Sequence, residues 1–184
     1  MAVSSLIITL SLLFVAATCT AGAVGAAATT TTALDDVCGA LGEFYVTPEL
    51  CASALCYDPS SPCRAARDAP AVAALAARLA AANATAARDR VEAAAAAASS
   101  SAAAPGLRAC LQLYGGLVPA LEWAAGSVAA GRLPGAREVI QAGQYVAVGC
   151  GGMAGGAALP RENDAFGTMA LVAYAVLASM SKGY

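Results

Sequence analysis

The sequence predicts an all-α protein, four helical blocks behind a short cysteine-dense entry. Three observations carry this. Hydrophobic residues make up 59% of the 184 residues but aromatics only 5%, so alanine supplies most of the apolar character. Alanine is the best helix former and adds little burial per residue, so its helices approach closely and need reinforcement. Apolar positions recur at intervals of three and four, the helical period. Seven cysteines stand in a chain with no histidine. One of them, Cys19, falls in a segment that reads as a cleaved leader, leaving Cys38, Cys51, Cys56, Cys63, Cys110 and Cys150. An even set in an exported chain reads as a disulfide framework.

Residues 1–28 read as a signal peptide. Leu6 to Ala17 is an apolar stretch too short to span a bilayer, followed by small residues that suit a signal peptidase. No Lys or Arg precedes it. The mature chain of about 155–160 residues is long enough for one domain with its own core. Residues 29–34 read as a flexible leader. Asp35 to Cys63 is turn-prone, with Pro48, Pro59 and Pro62 limiting any helix to a turn or two.

Pro70 to Ser101 reads as one long helix, with Pro70 in its first turn and Val72, Leu75 and Leu79 on one face. Pro105 opens the second. Leu107, Cys110, Leu111, Tyr114, Val118, Leu121, Ala125 and Val128 form its stripe, and Gly115, Gly116 and Pro119 predict a kink. Gly131 to Gly135 is a turn. The third helix runs from Ala136 to Cys150, with Val139, Ile140, Gly143, Ala147 and Cys150 inward, and Gly151 to Gly156 reads as a loop. The fourth starts near Glu162 and carries Phe166, Met169, Ala173, Val176, Leu177 and Met180 on one face. Its uncharged stretch, Ala165 to Met180, falls short of the roughly 20 residues a bilayer needs and reads as a buried bundle helix.

These features exclude more chemistry than they suggest. Without histidine there is no Ser-His or Cys-His nucleophile pair, no histidine general base and no usual zinc site. The acidic residues form no close pair, so no catalytic, cofactor or metal residue is assigned. Gly149-Cys150-Gly151-Gly152-Met153-Ala154 imitates a dinucleotide turn, but the second strand and the acidic residue about 20 positions on are missing. A formal charge of −2 with scattered basic residues gives no footprint for nucleic acid. Asn83-Ala84-Thr85 is a candidate glycosylation sequon on the Val72/Leu79 face, where Asn83 is expected to be partly buried.

Cys38, followed by Phe44-Tyr45-Val46-Thr47-Pro48-Glu49-Leu50-Cys51, resembles the N-terminal hairpin of the plant invertase and pectin methylesterase inhibitor family. Leu107-Arg108-Ala109-Cys110-Leu111-Gln112-Leu113-Tyr114 is similar to the start of that family's second bundle helix. Cys150 stands where the family places its fourth cysteine, and Asn163 with the apolar stretch from Met169 to Leu177 resembles its closing helix. The resemblance covers about Asp35 to Met180.

It implies an up-and-down four-helix bundle over residues 70–182 behind a helical hairpin in 35–66, stapled by disulfides. The implied pairs are Cys38–Cys51 and Cys110–Cys150, with Cys56 and Cys63, additional to the family's four, pairing with each other. A Cys110–Cys150 bridge would close about 40 residues and stabilise by roughly 4 kcal/mol, against about 2–3 for each short loop. The implied function is that of a secreted, apoplastic, non-catalytic inhibitor, a monomer or weak homodimer without cofactor or membrane attachment after leader cleavage. The implied partner is pectin methylesterase or, as the alternative, acid invertase.

Invertase inhibitors of the family insert a Pro-Lys-Phe segment, where this chain has Gly131-Arg132-Leu133-Pro134-Gly135. Arg132 and Leu133 are expected to project from that turn, with Glu122, Arg137, Gln141 and Gln144 as exposed helix-face candidates for target contact. A helical lipid carrier and a structural wall protein are remoter alternatives. This chain lacks the adjacent Cys-Cys and Cys-x-Cys pairs of plant lipid-transfer proteins and the Pro-Ala repeats of arabinogalactan stalks. Purified protein is therefore expected to turn over neither pectin esters nor sucrose, and turnover that survives repurification would overturn the non-enzyme reading.

Overall fold

The computed structural model describes residues 31–57, 62–98, 100–154 and 159–181. The expected signal peptide with Cys19, Pro59, and the end of the expected glycine loop lie outside the described residues. Among the described residues every regular element is helical.

Helix α1, Ala33–Gly39, starts earlier than the leader reading allowed. A capping box explains this. The Asp35 amide donates to the Thr32 hydroxyl at 3.2 Å, and the Asp35 carboxylate accepts from the Thr32 amide at 3.0 Å. Leu34 is buried, which anchors the first turn. A 3₁₀ turn, Gly42–Phe44, and the left-handed Tyr45 (φ 58°) lead to α2, Pro48–Leu55. Pro48 opens α2 and Thr47 caps it, accepting from the Leu50 amide at 3.2 Å. A Cys38–Cys51 disulfide joins the two helices, and Cys56–Cys63 ties the end of α2 to a second 3₁₀ turn, Pro62–Ala65.

Asp68 caps α3, Ala69–Ala97, by accepting from the Ala71 amide at 2.8 Å. The helix ends before the expected Ser101. Turn bonds from the Ser101 amide to Ala98 and from the Ala104 amide to Ser101 take over the backbone. Helix α4, Ala104–Ala129, stays helical through Pro119. Pro119 and the residue four before it, Gly115, both face solvent, so water can satisfy the carbonyl that proline leaves unpaired. Helix α5 is Ala136–Met153 and α6 is Arg161–Met180.

Each bundle helix packs on two neighbours: α3 on α4 and α6, α5 on α4 and α6, with little contact across the diagonals. The α1–α2 hairpin lies on α3 and α6. Most of the expected inward positions are buried, while Leu79, Leu111, Val139 and Met180 are half-buried at the edge of the core. Val72, Leu75, Tyr114, Val118, Leu121, Ile140, Phe166, Met169, Val176 and Leu177 lie in one core, filled between them by alanines of α3 and α6.

Two features set how these small-residue helices meet. Gly106 in the first turn of α4 lies against the Met153 carbonyl at the end of α5, leaving no room for a Cβ. That contact carries α5 through Gly151 and Gly152, where the sequence predicts a loop; packing overrides poor local propensity. Deeper in, Tyr114 donates its hydroxyl to Asn163 Oδ1 at 2.8 Å, and Asn163 Nδ2 donates to the Ala147 carbonyl at 3.1 Å. This bridge links α4, α6 and α5, and the Tyr114 ring meets Phe166 edge-on at 5.6 Å.

The glycines of α4 should therefore respond with opposite signs. Gly106→Ala must push the α5 backbone away and should cost about 1–3 kcal/mol. Gly115→Ala and Gly116→Ala meet no atom within 4 Å and should each stabilise by about 0.5–1 kcal/mol. Denaturant unfolding of the three variants checks this.

Candidate functional site

The turn between α4 and α5 is built by two glycines in the left-handed region, Gly131 (φ 75°) and Gly135 (φ 80°). It closes on α4 through the Gly131 amide to Val128 O and the Arg132 amide to Ser127 O, both at 2.9 Å. Arg132 is exposed, as expected. Leu133 is not: it is half-buried and packs against the core, because the turn folds back over the ends of both helices. The outward-projecting pair predicted from the sequence is reduced to one side chain.

On α5 the Glu138 carboxylate accepts from the Gly135 amide at 2.7 Å and from the Arg137 guanidinium at 2.7 Å. The guanidinium, with the backbone amides, holds the Glu138 carboxyl below the usual carboxylate range. This cap is fully present above the ordinary Glu pKa and is lost as pH falls through the depressed value, so it persists in mildly acid solution. Glu122 is exposed, whereas Arg137, Gln141 and Gln144 are half-buried. Gln144 leans inward, its Nε2 3.4 Å from the Ala170 carbonyl.

Sequence reasoning missed the largest exposed apolar side chains of this region. Trp123 is 55% exposed on α4, and Tyr145 and Val148 are 68% and 76% exposed on α5. The Trp123 ring tip would touch a Cβ placed on Gly135 at 3.3 Å, which makes Trp123 part of the same surface as the turn. The signal was available: Trp123 lies between the inward positions Leu121 and Ala125, and Tyr145 and Val148 lie between Gly143, Ala147 and Cys150. An aromatic off the stripe has to face outward.

Cys110 and Cys150 depart from the implied pairing. Both are buried free thiols, where the resemblance implies a disulfide. They face each other one turn inward from the Gly106–Met153 contact. Burial pushes both thiols up from the ordinary cysteine value, and burial likewise raises Tyr114. Among the described residues no cluster of three His, Cys, Asp or Glu side chains is placed to hold a metal. No helix among them is long and apolar enough to cross a membrane. Asn83 is half-buried on α3, its Nδ2 donating to the Leu79 carbonyl at 2.9 Å.

The thiol state carries a pH signature. In the dithiol form the unfolded cysteines ionise from about the ordinary value of 9.0 while the folded ones keep their protons. Stability should then fall as pH rises past about 9. Once the two sulfurs are joined, the loss should begin only near 10, where unfolded Tyr114 ionises. Urea melts between pH 8 and 11, with and without reductant, measure the difference.

Comparison with protein families matches residues 32–150 to the plant invertase/pectin methylesterase inhibitor family. The match takes in the hairpin, both long helices and α5 as far as Cys150, and stops before α6. No curated protein and no solved structure matches the chain. With well over half of its length matched, the chain belongs to the plant invertase/pectin methylesterase inhibitor family.

Proposed function

We propose that the protein is a secreted inhibitor of pectin methylesterase in the plant cell wall, acting by forming a stoichiometric complex and catalysing nothing itself. Membership of an inhibitor family supports the class of activity. The observation that carries the rest is the exposed apolar surface of α4 and α5, with Trp123 packed at the Gly131–Gly135 turn and Tyr145 and Val148 on the adjoining helix. Exposed aromatics on a rigid face supply large contact area at small entropic cost, and such residues dominate binding energies. The Glu138 cap that shapes this turn stays ionised in mildly acid surroundings, which suits a protein working in the wall.

Inhibition of acid invertase is the second reading. It needs a projecting turn, and Arg132 alone projects while Leu133 packs inward, which favours the esterase. The disulfide between Cys110 and Cys150 belongs to the same proposal: two facing thiols in an exported chain close when oxidised.

The test is inhibition of both enzymes at mildly acid pH. Pectin methylesterase should be inhibited to stoichiometric saturation. Trp123→Ala and Tyr145→Ala should each weaken the complex by about 2 kcal/mol, roughly thirtyfold in the inhibition constant. Arg132→Ala should change it little. Inhibition of invertase alone, abolished by Arg132→Ala, would replace the esterase reading with the invertase one.

A further inference from the structure

Asn83 opens the chain's one Asn-x-Thr/Ser sequon, since its other asparagine, Asn163, is followed by Asp164 and Ala165. In the folded protein Asn83 stands on the wall of an open cleft of about 580 Å³ between the end of α2, the middle of α3 and the start of α6. Tyr57, 71% exposed, forms one side of the cleft. Arg161, Glu162 and Thr168 supply polar groups, and Met169 and alanines give the rest an apolar lining. Glu162 is held there by the Arg90 and Arg161 guanidiniums at 3.5 and 3.6 Å.

We propose that Asn83 carries an N-linked glycan whose first sugar sits in this cleft against Tyr57. The proposal rests on the export reading above, because the transfer takes place in the secretory pathway. There, Asn83 Nδ2 displaces the diphosphate from C1 of an N-acetylglucosamine carried on a polyprenyl diphosphate. The Nδ2–C1 bond forms, the C1–O bond breaks, the diphosphate leaves with the electron pair, and Nδ2 gives up one proton.

Transfer precedes folding, since a sequon inside a finished helix cannot adopt the extended form the transferase needs. The fold must then accept the product, and this site does. The linked nitrogen keeps one hydrogen, enough to retain the bond to the Leu79 carbonyl. The cleft offers a sugar what sugars bind: an aromatic face for the apolar side of the ring and charged and hydroxyl groups for its edges. Thr85, the third sequon residue, bonds to the Ala81 carbonyl at 3.1 Å and is half-buried, so it can be varied conservatively.

The test expresses the full chain in plant cells, once with its own leader and once behind the leader of an established secreted protein, and maps glycopeptides from both. A glycan at Asn83, kept in Thr85→Ser and lost in Thr85→Val, is the expected result. Exported chain bare at Asn83 would overturn the proposal. Glycosylation behind the borrowed leader alone would support it while removing the export reading.

Seating in the cleft is read separately. Protein trimmed to its first sugar should melt about 2–4 °C above the same sequence made in the bacterial periplasm without glycan. In Tyr57→Ala the increment should vanish. Equal midpoints, or an increment indifferent to Tyr57, would overturn the seating.

Discussion

Asn163 supplies what an alanine core lacks, a reason for its helices to meet in one alignment only. Alanine against alanine packs almost equally well one turn up or down, because every position offers the same methyl group. The buried amide does not tolerate that freedom. Its oxygen needs the Tyr114 hydroxyl on α4 and its nitrogen the Ala147 carbonyl on α5, and a slip by one turn would strand both groups away from water at about 1–3 kcal/mol each. The bridge therefore fixes α6 against its neighbour α5 and, across the bundle, against α4 at once. Phe166, one turn along α6, closes over Tyr114 and fills the space that Gly143 leaves on α5.

The seam between α4 and α5 is fixed by different means. Gly106 lets the two backbones touch at one end, the facing Cys110 and Cys150 sit one turn inside, and the double-glycine turn closes the other end. Held in this way, the pair presents Trp123, Tyr145 and Val148 without the cost of ordering a loop. That is the physical case for the proposed contact: large apolar side chains held ready on a constrained frame, so that little ordering cost falls on binding. The hairpin, with its own two disulfides, stands apart from this seam, on α3 and α6.

Much of this was legible in the sequence. The four bundle helices, their inward stripes and the hairpin pairs Cys38–Cys51 and Cys56–Cys63 follow from period, proline placement and family resemblance. What was not legible depended on contacts between distant segments. Propensity alone ends α5 before Gly151, and only the facing Gly106 explains why it continues to Met153. Thr32 and Asp35 form a capping box that pulls Ala33 and Leu34 out of the leader and into α1. Leu133 sits among turn residues that usually face solvent, yet the turn folds it back. Asn163 was noted for its resemblance, but its partner Tyr114 is 49 residues away, beyond any local pattern. Trp123 was the avoidable miss, since its place off the stripe already turned it outward.

The outer face of α4 and α5 is the proposed contact with the target enzyme. Trp123 is the chain's single tryptophan, so incorporating fluorotryptophan gives one fluorine resonance on that face. On adding one equivalent of the inhibited enzyme, the resonance should shift and lose its sensitivity to exchange of water for heavy water as the ring is buried. Full inhibition with an unshifted, solvent-sensitive resonance would contradict the claim and move the contact to another face of the bundle.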